Sequence, residues 1–141
     1  MAADSKGRNS STPRPRLIIA YWVFTALTAF GMGGGGVMDL MAPPDAVAGF
    51  EHLGYPIHLL TLLGIAKVLA VVAILAPGFA RLKEWAYAGM VIDVIGAAWS
   101  HALVGDPLGQ WLPFILIFLV AIFGSYFLRP ANRRLPDLPT K

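Results

Sequence analysis

LKEWAYAGMVIDVIGAAWSHALVGD, running from Leu82 to Asp106, is the stretch whose reading decides the fold. It opens on charge beside Trp85 and Tyr87, continues for about 20 mostly apolar residues, and stops at Gly105-Asp106. That length and apolarity read as a membrane-spanning helix. Within it stand Asp93, well inside, and Ser100 and His101 near the far end. An ionisable group at the centre of a span costs about 2.5–3.5 kcal/mol on insertion scales, so each needs a partner or a task.

The composition agrees. Of 141 residues, 57% are hydrophobic and only 13% charged, which is too apolar for an ordinary soluble domain. The absence of cysteine excludes disulfides, thiol redox motifs, iron–sulfur clusters and Cys-based zinc sites. The net charge of +3 has a topological reading rather than a nucleic-acid one. No basic run is interleaved with exposed aromatics, so nucleic acid is not an expected partner, whereas the lipid bilayer is.

Outward from that stretch, three more spans appear. Residues 1–16 are polar and carry Lys6, Arg8, Arg14 and Arg16; they read as a disordered tail. Leu17 to Met38 is then free of charge and long enough to cross once. It is read as an uncleaved helix, because it exceeds a signal-peptide core and no A-x-A site follows. Its end, Gly31 to Gly36, satisfies G-x-G-x-x-G but has no preceding strand, so a nucleotide site is rejected. The glycines read instead as close helix packing through Gly31 and Gly35, with local unwinding as the alternative. A loop from Asp39 to Pro56 holds a short amphipathic helix at Asp45–Leu53, placed at the membrane surface. The second span covers 57–76 and contains Lys67; the third covers 84–104; the fourth covers 111–128, with Pro113 in its first turn. Residues 131–141 form a polar tail. No internal repeat is visible.

The architecture expected is an all-α, antiparallel four-helix transmembrane bundle over 17–130. Basic residues lie in both tails and in the loop after residue 76, while the other two loops hold only acidic charge. The positive-inside rule then sets both termini in the cytoplasm, across the inner (plasma) membrane. Trp22, Trp85, Tyr87, Trp111 and Tyr126 near span ends fit an aromatic belt.

Lys67 and Asp93 are the residues most in need of explanation. Each lies nine residues from the same end of its predicted span, about 13.5 Å deep, on consecutive antiparallel helices. A buried ion pair follows, serving either to fix helix register or as a polar centre for a ligand or proton. Ser100 shares the helical face of Asp93, and His101 lies about 80° around it. The first helix shows a matching stripe of Tyr21, Thr25, Thr28, Met32, Gly35 and Asp39, so the two faces are expected to meet. Thr25 and Thr28 are expected to bond only their own helix. His52, His58 and His101 all fall near one surface. They support neither haem nor a metal site, though His101 is a candidate contact for a quinone head group. Ser100, His101 and Asp106 make no triad, since adjacent helical residues do not face each other.

The order of several motifs is informative. Leu53-Gly54-Tyr55-Pro56 precedes a span with Gly64 and Lys67. Leu82-Lys83-Glu84-Trp85-Ala86-Tyr87-Ala88-Gly89, Ser100-His101 with Gly105-Asp106, and Ser125-Tyr126-Phe127-Leu128-Arg129-Pro130 follow. Over Leu17 to Pro130 the chain resembles the DoxX-like family of small bacterial four-helix membrane proteins. The resemblance implies a membrane subunit linked to redox or detoxification complexes, the family name deriving from a subunit associated with thiosulfate–quinone oxidoreduction. It carries over no catalytic residues. The expectation is an accessory or anchoring subunit of a membrane-associated, redox-type complex, with no bound cofactor of its own. The alternative is a quinone- or lipophile-binding oxidoreductase component built on Lys67, Asp93, Ser100 and His101. A redox protein partner and a homo-oligomer are both compatible with either reading.

Overall fold

The computed structural model describes residues 14–136. Four long helices dominate them: α1 (Pro15–Met41), α3 (Ile57–Leu75), α4 (Ala80–Val104) and α5 (Leu108–Phe127), with the short α2 (Pro44–His52) between α1 and α3. All four long helices are long and apolar enough to cross a bilayer, with mean hydropathy between 1.3 and 2.3. The chain is a multi-pass, all-α membrane protein. Among the described residues there is no strand. Most of the tail assigned to 1–16, and the end of the tail assigned to 131–141, lie outside the described residues.

The helices pack as a square. α1 lies against α3 and α5, and α4 lies against α3 and α5, so α1 and α4 stand on a diagonal. The polar stripe of α1 does turn inward: Tyr21, Thr25, Thr28, Met32 and Asp39 are buried. It meets side chains of α3 and α5 rather than pairing directly with the Asp93 face of α4. The Thr25 hydroxyl hydrogen-bonds Ser125 at 2.7 Å, and Ser125 bonds the Tyr87 hydroxyl at 2.7 Å, which links α1, α5 and α4 in one chain. Thr25 is thus bonded across helices, against the expectation, while the buried Thr28 hydroxyl has no partner among the described residues. Met32, Ile74, Tyr87, Met90, Val94 and Ile122 fill the core below.

The glycine run is helical throughout, so the unwound alternative is excluded. Its contacts differ from the Gly31/Gly35 expectation. A Cβ on Gly31 would collide with the Phe118 ring of α5, but one on Gly35 would meet nothing within 4 Å. The close approach is made by Gly36 instead. A Cβ there would stand 3.0 Å from the Gly64 carbonyl oxygen, and one on Gly64 would stand 2.9 Å from the Gly36 carbonyl oxygen. These two glycines are the crossing point of α1 and α3, where only hydrogen fits between the backbones.

Three boundaries move for physical reasons. α1 continues past Met38 to Met41, because Pro43-Pro44 stops it rather than the charge of Asp39. α4 begins at Ala80, so Lys83 is a helical residue and not a loop charge. It is fully buried, and its ammonium donates to the carbonyls of Ala73, at 2.8 Å, and Ala76. Arg133, on a 3₁₀ turn at Ala131–Arg133, donates to the Ile74 carbonyl at 3.0 Å. The last carbonyls of a helix have no partner within it, and these two cations supply partners for α3 while matching its negative end. Lastly, α5 begins at Leu108, which puts Pro113 inside the helix and beyond its first turn.

Candidate functional site

Gly36 and Gly64 determine where the charged groups of the bundle meet. Asp39 is one turn beyond Gly36 on α1, and Lys67 is one turn beyond Gly64 on the antiparallel α3. The Lys67 stem starts against Gly36, while Asp39 stands beside Gly64. The four-carbon stem therefore only has to climb the crossing to reach the carboxylate. Lys67 Nζ donates to Asp39 Oδ2 at 2.8 Å and lies 3.7 Å from Asp93 Oδ2 on α4. All three side chains are less than one-fifth exposed. The pairing of Lys67 with Asp93 is present, but the tighter partner is Asp39. The signal for it was the burial stripe on α1, obscured by ending the helix too early.

One ammonium thus sits between two carboxylates on three different helices. Desolvating such groups costs several kcal/mol each, which their mutual attraction and hydrogen bonds must offset. Beside them a cleft of about 280 Å³ opens between α3 and α4 over Met32. Its walls, including Ala66, Ala70, Trp85 and Met90, are apolar, and Lys67 and Asp93 are the charged groups that line it. Such a cleft accepts an apolar body and offers its polar end a donor and an acceptor.

The four residues expected to form one centre separate into two places. Ser100 lies away from the cleft. Its hydroxyl donates to the Gly96 carbonyl and pairs with the Tyr55 hydroxyl, both at 2.7 Å. His101 stacks on Trp111 with ring centroids 6.0 Å apart, and its Nδ1 hydrogen-bonds Asp106 Oδ2 at 2.6 Å. His52 of α2 reaches the other oxygen, with Nε2 to Oδ1 at 2.7 Å. Gly105 makes this possible. Its φ of 78° ends α4 in a left-handed turn, and the Asp106 amide returns to the His101 carbonyl at 3.0 Å. Asp106 is thereby folded back over His101. His58, at the start of α3, is exposed and joins neither group. Among the described residues no cluster of three or more His, Asp or Glu is arranged to hold a metal ion.

Hydrogen bonds from His101 and then His52 hold the Asp106 carboxyl below the usual carboxylate range. A lowered carboxyl pKa stabilises the folded arrangement above its ordinary value and ceases to do so as pH falls through the lowered one. The tie between α2 and the α4–α5 turn is therefore expected to hold at neutral pH and to fail below about pH 4. Amide exchange in α2 should be slower in the native protein than in Asp106→Asn at pH 7. The two should converge below about pH 4. Equal exchange at pH 7 would mean that Asp106 does not hold α2.

No curated protein and no solved structure matches the chain. The family profile of the DoxX-like proteins matches residues 23–124, from the third turn of α1 to the last turn of α5. That span takes in Asp39, Lys67, Asp93, Ser100 and His101 and most of the four long helices, and the chain belongs to the DoxX-like family.

Proposed function

We propose that this small membrane protein holds a lipophilic molecule with a carbonyl-bearing head, of the quinone class, in the cleft between α3 and α4. The observation that supports the reading is a charged pair set at the end of an otherwise apolar cleft. Lys67 is the donor for a head-group carbonyl, and Asp93 is the nearby group able to give or take a proton. Reduction of a quinone needs two electrons as well as two protons, and no side chain of the cleft supplies electrons. The same reading therefore makes the chain an accessory or anchoring subunit that presents the quinone to a redox partner protein. His101 and Ser100, bound up with Asp106 and Tyr55, position the outer loops rather than touch the ligand.

The test is extraction of the protein purified in mild detergent from quinone-replete membranes. Near-stoichiometric quinone is expected in the native protein, and Ala66→Trp, which fills the cleft from an exposed position, should remove it. Quinone-free protein, or quinone retained at an equal level by Ala66→Trp, would sink the ligand reading. A stoichiometric protein partner alone would leave only the anchoring role.

For orientation, we assign both termini and the α3–α4 loop to the cytoplasmic side of the inner membrane. The support is the basic residues of the two tails and of Arg81. Reporter fusions after Lys141 should read cytoplasm, and insertions at Asp45 should read the exterior. The reverse pattern would invert the bundle.

A further inference from the structure

The other flank of α4 carries a second groove. It runs between α4 and α5, encloses about 530 Å³ and is walled by Ala88, Val91, Ile92, Ile122 and Phe123, with Glu84 and Tyr126 at one end. Glu84 and Tyr126 also line a cleft of about 280 Å³ together with Arg129 and Arg134. An apolar trough and a basic cleft are thus joined through two shared residues. The junction lies at the last turn of α5, which ends at Phe127, at the level where head groups meet a spanning helix.

Arg129 is held rigidly there. Its Nη2 binds Glu84 at 2.8 Å, its Nε donates to the Tyr126 carbonyl at 3.0 Å, and its guanidinium lies 4.2 Å from the Tyr126 ring centre. The side chain is 4% exposed, yet Nη1 has no hydrogen-bond partner among the described residues. Nη1 has almost no exposed surface, so Arg129 presents its positive charge rather than that N–H to an anion in the cleft. Arg134 is exposed and spends its Nε and Nη2 on the Arg129 and Phe127 carbonyls, leaving further donors of its fork for another acceptor. Two guanidinium groups face one carboxylate, so the cleft carries an unbalanced positive charge.

We propose that this flank of the protein is a binding site for an anionic phospholipid, with one acyl chain in the α4–α5 trough and the phosphate against Arg129 and Arg134. The trough matches a hydrocarbon tail and faces the bilayer. The excess positive charge favours a lipid with net negative charge over a zwitterionic one.

The experiment is thermal unfolding of the full chain in neutral detergent with added phosphatidylglycerol, phosphatidylcholine or inorganic phosphate. Phosphatidylglycerol should raise the Tm in a saturable way, and the other two should do so much less. Ala88→Trp, which fills the trough from an exposed position, should leave the lipid-free Tm unchanged and remove the shift. Arg134→Gln should weaken binding about tenfold, and Arg134→Lys should restore part of it. Equal shifts from phosphatidylcholine would overturn the proposal. So would a full shift from phosphate alone, which would mark a free-anion site. A change from dimer to monomer on Ala88→Trp would overturn it as well, because a second copy would then occupy the groove.

Discussion

Lys67→Met is expected to unfold a large share of the protein in detergent, with a loss of about 3–5 kcal/mol. The size follows from the geometry. Lys67 is the cation shared by Asp39 at 2.8 Å and Asp93 at 3.7 Å, so one substitution orphans two carboxylates on two helices. The single acidic changes should be milder, because each leaves Lys67 with one partner. Asp39→Asn removes the shorter contact and should cost more than Asp93→Asn. Replacing all three residues by neutral ones of similar size should recover most of the loss, since a buried ion group is worth little against a well-packed apolar one. Ordinary hydrogen bonds between membrane helices average only about 0.6 kcal/mol, so Thr25→Val, which breaks the Thr25–Ser125 bond, is a suitable comparison. Stability is read as the midpoint of denaturing-detergent titration. If Lys67→Met costs no more than Thr25→Val, the three charges are not coupled and the centre is a surface accident.

Gly64→Leu should be comparably damaging, and for a different reason. A Cβ at Gly64 meets the Gly36 carbonyl oxygen and the Leu40 side chain at 2.9 Å and the Asp39 Cβ at 3.1 Å. A backbone oxygen cannot step aside as a flexible side chain does, so α1 and α3 must separate. Overpacking costs about 1–3 kcal/mol in ordinary cores, and this substitution should reach the top of that range or exceed it. Separation also lifts Asp39 away from Lys67, which adds part of the first effect. Gly35→Leu is the control, because nothing lies within 4 Å of that position. The same midpoint measurement applies. Equal effects at Gly35 and Gly64 would mean that general helix propensity, not the crossing, sets the cost.

These two experiments concern the residues at which sequence and structure part most clearly. The number of spans was legible because twenty apolar residues have few alternatives to crossing a membrane. The pairing of Lys67 with Asp93 was legible because depth on antiparallel neighbours follows from counting along each helix. Which glycine touches which helix was not. Five glycines in six positions present small residues on every face, and only the partner surface, Gly64 on α3 or Phe118 on α5, selects among them. Asp39 was misassigned because a charge near an apolar boundary reads as the end of a span. Here a long lysine stem brings a counter-charge to it. Lys83 was misread for a related reason. A basic residue four positions after Gly-Phe looks like a loop charge, yet its long stem is buried and its ammonium serves the carbonyls of a neighbouring helix. Ser100 and His101 were placed on the correct helix, but their partners, Tyr55 and Asp106, come from loops whose turns no periodicity describes.

The caps on α3 have a consequence for how the bundle is made. Helix α3 emerges from the ribosome before α4 and well before Arg133. Until then its final carbonyls, at Ala73, Ile74 and Ala76, lack the partners that Lys83 and Arg133 later provide. The second long helix to be synthesised is therefore finished by a residue that follows all four spans in the chain. A chain truncated after Pro130 would keep its four spans but leave the Ile74 carbonyl of α3 without its Arg133 partner. The closing step of assembly belongs to a short polar turn outside the bilayer, and no span performs it.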